Sequence, residues 1–121
     1  DLNLSLRECD ILKLNDWEGE KLKYIVSNPP YIPPSERPIM ALTTLWYEPP
    51  LALFADEEDP LIFYRHIGLL GQKALLPKGE IWVECGFKQG RPVSELFTNQ
   101  GYTTSMYKDT NSIYRFVRAI K

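Results

Sequence analysis

A chain of 121 residues, 44% apolar and 25% charged, has room for one small domain with a single hydrophobic core. Its formal charge of −2 supplies no basic field for duplex nucleic acid, which argues against a self-sufficient DNA binder. No apolar run approaches the roughly 18 residues of a membrane span, no signal peptide opens the chain, and the distant Cys9 and Cys85 read as reduced thiols of a cytoplasmic protein.

In chain order, "LSLREC" (4–9) alternates apolar and polar residues and predicts a strand with one covered face, ending at Asp10. A polar, turn-rich stretch follows, and "LKYIVS" (22–27) predicts a short, fully buried strand. Residues 29–60 hold eight of the ten prolines and show no sustained period, the mark of a functional loop or lid. Within them "PIMALTTLWY" (38–47) is a candidate short helix. Apolar residues then recur at helical spacing from Leu61 to Leu76, with Asp59 as candidate N-cap and Pro60 at the first helical position. Pro77, Lys78 and Gly79 are expected to end that helix before the strand "EIWVEC" (80–85). A helix from about Arg91 to Gln100 should close on Gly101, and "YTTSMY" (102–107) with "SIYRFVRAI" (112–120) reads as an antiparallel hairpin at the sheet edge. Strands alternating with helices imply an α/β fold whose ligands sit at the carboxyl ends of the strands, where Asp10 and Asn28 fall.

The sharpest local signal is "SNPPY" (27–31). A residue before proline is pushed out of the helical region, and two prolines fix φ and remove two N–H donors. The backbone therefore offers carbonyls on a stiff frame, beside the acceptor oxygen of Asn28. The complementary group is a planar –NH2, with Tyr31 supplying an aromatic face for the group that carries it. Two acceptors on such a nitrogen favour pyramidal geometry and stabilise the positive charge that grows during attack on an electrophilic methyl. The bland alternative is a proline-rich loop in which Tyr31 merely packs.

With its flanks, this motif resembles amino-methyltransferases that use S-adenosylmethionine, and among them the HemK/PrmC family of release factor glutamine N5-methyltransferases. The likeness runs over nearly the whole chain: "WYEPPLALF" (46–54), "PLIFYRHI" (60–67), "IWVECGFKQG" (81–90) and "YKDTNSIYRFVRA" (107–119) each match a family segment. The resemblance implies an incomplete Rossmann-like methyltransferase fold, with a mostly parallel sheet and a carboxyl-terminal antiparallel hairpin. It implies that Asn28 and the Pro29 carbonyl hold the glutamine amide, that Pro30 and Tyr31 shape the substrate pocket, and that Asp10, Ile11 and Asn28 contact the cofactor. Many members carry an aromatic at the Ile11 position, and Trp17 is the alternative candidate for that place. The implied cofactor is S-adenosylmethionine, and the implied partner is the Gly-Gly-Gln loop of a peptide-chain release factor. The family's glycine-rich segment after "LALF" is here "ADEEDP", and its Asp/Glu-x-Gly-x-Gly turn has no counterpart in these residues. Residues 1–121 are therefore expected to be the carboxyl-terminal portion of a methyltransferase catalytic domain, binding cofactor weakly or not at all by themselves. An adenine-N6 nucleic-acid methylase and a non-catalytic Rossmann-like module are the alternative readings.

Glu84, mid-strand, is expected either to face solvent or to pair with Arg115 or Arg118, since an unpaired buried carboxylate is costly. His66 reads as a surface or packing residue, and no Cys/His cluster has the spacing of metal ligands. The acidic run Asp56–Asp59 reads as a solvated loop and helix start. Trp46, Tyr47 and Glu48 are candidates either to cover the acceptor pocket or to pack in the loop.

Overall fold

The computed structural model describes residues 4–121. Four strands form one sheet in the order β1-β2-β4-β3: β1 (Leu22–Ser27), β2 (Leu75–Glu84), β3 (Thr103–Lys108) and β4 (Tyr114–Ile120). β1 and β2 run parallel, while β4 lies antiparallel to both β2 and β3. Three of the four strands thus point one way, and β4 is inserted against them. Four α-helices lie among the described residues: α1 (Leu42–Tyr47), α2 (Pro50–Leu53), α3 (Ile62–Ala74) and α4 (Gly90–Asn99).

Helices α3 and α4 cover one face of the sheet. Tyr64 and Ile67 of α3, with Val93 and Phe97 of α4, pack on Ile81, Val83, Cys85, Val117 and Ala119. Because strand side chains alternate, the opposite face carries Tyr24, Val26, Trp82, Phe116 and Tyr107. No helix of the described residues lies over it. "LKYIVS" is therefore a strand but not a buried one: Val26 is 78% exposed. On this open face Trp82 stacks on Tyr107 with centroids 5.3 Å apart, and the Arg118 guanidinium sits 5.5 Å from the Trp82 ring. Arg118 Nε also donates to Glu80 at 2.9 Å.

That ion pair has a pH signature. Hydrogen bonds from Arg118 and then Trp82 hold the Glu80 carboxyl below its ordinary value. A depressed folded-state value means the unfolded chain binds the proton more tightly. The stabilisation is therefore present above the ordinary carboxylate value and is lost as pH falls through the lower folded one. Urea midpoints should drop as pH falls below about 4.5, and Glu80→Gln should flatten that slope. An unchanged slope in the variant would remove Glu80 from the account.

Besides the burial of β1, four expectations from sequence are corrected. "LSLREC" forms no strand, and Leu6 is 88% exposed. Among the described residues no strand runs beside it, since β1 hydrogen-bonds only to β2. Asp10 instead starts a 3-10 turn over Ile11–Lys13, accepting from the Leu12 N–H at 3.0 Å. Second, Pro77-Lys78-Gly79 does not separate helix from strand. α3 stops at Ala74, Leu75 already pairs with Leu22, and the three residues bulge within β2, with Lys78 at φ 63°. Third, Asp59 caps the turn before α3 rather than α3 itself, accepting from Leu61 N–H at 3.2 Å. Fourth, Glu84 meets neither arginine: Arg118 pairs with Glu80 and Arg115 with Asp109.

Of the candidate helix 38–47 only Leu42–Tyr47 is α-helical, after a 3-10 helix over Pro34–Ile39, whereas the carboxyl-terminal elements form as expected. α4 closes on Gly101 at φ 92°, a backbone conformation that glycine takes without strain. The hairpin of β3 and β4 forms with Asp109 at its turn, accepting from the Asn111 and Ile113 N–H groups. Cys9 and Cys85 are both free, and burial pushes the Cys85 thiol up to about 11. His66 Nδ1 lies 3.0 Å from the Ile62 carbonyl, one helical turn back, in keeping with a packing residue.

Candidate functional site

β1 ends because Asn28 is followed by Pro29 and Pro30, which cannot donate to a ladder. The chain leaves the sheet there and passes beside β2, so the break falls at the carboxyl ends of two parallel strands. A cleft of about 800 Å³ opens at that edge. Ser27, Asn28, Pro29 and Pro30 form one wall, and Glu8 to Leu12 form another. Phe63 and Ile67 of α3, with Leu51 of α2, complete the lining. Asp10, Ile11, Asn28, Pro29 and Pro30, far apart in sequence, thus come to one cavity.

Within it the groups differ in character. Asn28 is exposed and Pro29 is buried. The Asp10 carboxylate holds the Leu12 N–H and lies 3.5 Å from Lys13 Nζ. Ile11 is half-buried and packs against the core. Trp17 does not line the cleft: it folds onto Gly19 and donates to the Glu20 carbonyl at 2.8 Å. The segment is tied to α3 by Lys73, which donates to the Asn15 carbonyl, and by Lys21, which donates to the Lys73 carbonyl. A second cleft of about 400 Å³ lies on the open sheet face, and Asn28 lines it too, with Val26, Trp82 and Phe116. Asn28 stands at the border of the two.

Tyr31 turns the other way. It borders a separate groove of about 610 Å³ with Gly86, Phe87, Gln89 and Arg115. Its hydroxyl donates to Glu84 Oε1 at 3.2 Å. Burial first, then the Glu84 carboxylate, raise its phenol above the ordinary value, so it stays a donor throughout the neutral range. The Glu84 carbonyl in turn accepts from the buried Tyr64 hydroxyl at 3.0 Å. The loop beyond is pinned by backbone: Ile32 N–H donates to Leu53 O at 3.1 Å, and Ala55 N–H to Ile32 O at 2.9 Å.

Some lining residues carried no sequence signal for this role. Ile67 fits the helical period of α3 as a core residue, Phe63 stands outside that period, and Leu51 lies in an aperiodic loop. Conversely, Trp46 and Tyr47 do not cover the cleft; Tyr47 is 81% exposed. Among the described residues no group of three His, Cys, Asp or Glu could hold a metal ion, and no helix is long and apolar enough to cross a membrane.

No protein-family model matches the chain. A bifunctional methyltransferase of Rickettsia felis is 48% identical over 99 residues, covering 81% of this chain and 19% of the relative. A release factor glutamine methyltransferase of Bacteroides thetaiotaomicron is 37% identical over 123 aligned residues, covering the whole chain and 39% of the relative. The chain therefore spans well under half the length of these relatives. Among solved structures, a release factor-specific protein-(glutamine-N5) methyltransferase from Alicyclobacillus acidocaldarius superposes with a TM-score of 0.53 at 23% identity. That match covers 92% of this chain and 55% of the other, and it places the fold as an incomplete Rossmann-like methyltransferase fold.

Proposed function

Because the chain belongs to the release factor glutamine methyltransferase family, we propose that it forms the carboxyl-terminal portion of a catalytic domain that methylates a glutamine side-chain amide in a peptide-chain release factor. The observation that carries this reading is the convergence of Asn28 and Pro29 with Asp10 and Ile11 on one cleft at the strands' carboxyl edge.

The residues present suit one end of S-adenosylmethionine. A cleft of about 800 Å³ lies within the range of small-molecule sites. Ile11, Phe63 and Ile67 offer an apolar wall for a flat base, and Asp10 offers an acceptor for its exocyclic amine. The residues that the family places at the ribose have no counterpart in these 121 residues. When bound, the cofactor supplies an electrophilic methyl group carried on a sulfonium.

The chain's own contribution lies on the acceptor side. An amide nitrogen is flat because its lone pair is delocalised into the carbonyl. Asn28 Oδ1 and the Pro29 carbonyl accept its two hydrogens, which favours pyramidal geometry and returns the lone pair to nitrogen. The same two acceptors stabilise the positive charge that develops there, and they hold the proton that must leave. Pro29 and Pro30 keep these acceptors in place before the substrate arrives, which lowers the cost of orienting it.

The test is methyl transfer from labelled cofactor by the intact protein, with release factor and DNA offered in parallel. Label in a release factor glutamine is the expected result; label in DNA with none in release factor would overturn the reading.

A further inference from the structure

Gln89, the residue before α4, lies well outside the 800 Å³ cleft. Its side chain nevertheless spans two backbones: Oε1 accepts from the Gly86 N–H at 3.0 Å, and Nε2 donates to the Tyr31 carbonyl at 3.2 Å. We propose that Gln89 is a positioning residue for the Asn28–Pro29 clamp, acting through the Tyr31–Ile32 peptide; this rests on the reading of that clamp given above.

Pro29 and Pro30 have no N–H, so that stretch can be gripped only through carbonyls and side chains. The Tyr31 carbonyl belongs to the same peptide unit as the Ile32 N–H, which donates to Leu53. That plane is therefore fixed from both sides, by Gln89 on its oxygen and by Leu53 on its nitrogen. Glu84 fixes the same residue a third time, through the phenol. Between this anchor and Asn28 lie two residues with locked φ, so the anchor's position is transmitted along a stiff strut rather than absorbed.

The far side of the bridge is equally specific. The turn from Gly86 to Gln89 closes with the Gln89 N–H donating to the Gly86 carbonyl at 3.0 Å. Lys88 takes φ 65° to make it, a region that non-glycine residues seldom occupy. A Cβ on Gly86 would stand 2.9 Å from both the Tyr31 ring and Gln89 Oε1. The missing side chain is what allows ring, amide and turn to close together. A carboxamide suits both jobs of Gln89, since one end must accept and the other must donate.

Gln89→Glu separates these jobs: it keeps the acceptor for Gly86 and replaces the donor to Tyr31 with an oxygen that repels the carbonyl. In the intact protein this variant should lower kcat by about 10- to 100-fold. KM for release factor and cofactor affinity should stay within about twofold, because the cleft lining is untouched, and the melting temperature should be close to wild type. Gln89→Ala should show the same kcat loss with a larger loss of stability. A Gln89→Glu kcat within about twofold of wild type would overturn the proposal. If the wild-type protein itself transfers no methyl group, the functional reading fails, and the clasp is then decided by hydrogen exchange. Faster exchange of the Ile32 amide in Gln89→Glu supports it, and unchanged exchange refutes it.

Discussion

Replacing Asn28 by alanine is expected to reduce methyl transfer by about 10²–10³-fold, the usual consequence of removing one preorganised partner of a developing charge. The loss should fall on kcat more than on cofactor affinity, since the side chain acts where charge grows on the acceptor nitrogen. Stability should hardly change. Asn28 is exposed, and the strand break beside it is made by the two prolines rather than by the amide. Asn28→Asp is the informative companion, because a carboxylate keeps the acceptor oxygen, replaces the amide N–H donors with a second acceptor and adds a full charge. Turnover near wild type in Asn28→Ala would remove the residue from the chemistry.

The second large effect is structural. Phe97→Ala should cost about 3–5 kcal/mol of unfolding free energy. Phe97 is fully buried in α4 and meets Tyr102 edge-on, with centroids 5.9 Å apart. Tyr102 in turn donates to the Gly68 carbonyl of α3 at 2.6 Å. The ring therefore sits where both helices and the start of β3 come together, and little backbone there can collapse into the space it leaves. Denaturant unfolding of the intact protein measures this. A loss below about 1 kcal/mol would mean that the site relaxes far more than its packing suggests.

Sequence pattern reached the elements whose signals are local. α4 and its Gly101 cap, the β3–β4 hairpin and the end of β1 at Asn28 all follow from punctuation by glycine and proline. It failed where tertiary context decides. The alternation in 4–9 is a true strand pattern, but a strand exists only beside a partner, and none of the described residues supplies one. "LKYIVS" looked buried because its composition cannot tell a strand covered on two faces from one covered on a single face. Glu84 was legible as a carboxylate needing a partner, yet the partner came from the proline loop rather than from the adjacent strand. Gln89 was visible only as part of a family segment. Its reach to Tyr31, 58 positions earlier, has no trace in local pattern.

The order β1-β2-β4-β3 also bears on how the sheet is assembled. β4 comes last of the strands in sequence, yet it occupies an interior place. Until it arrives, β3 has no neighbour and the far side of β2 stays unsatisfied. Its docking closes two ladders in one event, so β2, β3 and β4 should gain protection together rather than stepwise. Without residues 114–120 the far side of β2 and both sides of β3 would stay unpaired, and such open edges are prone to association.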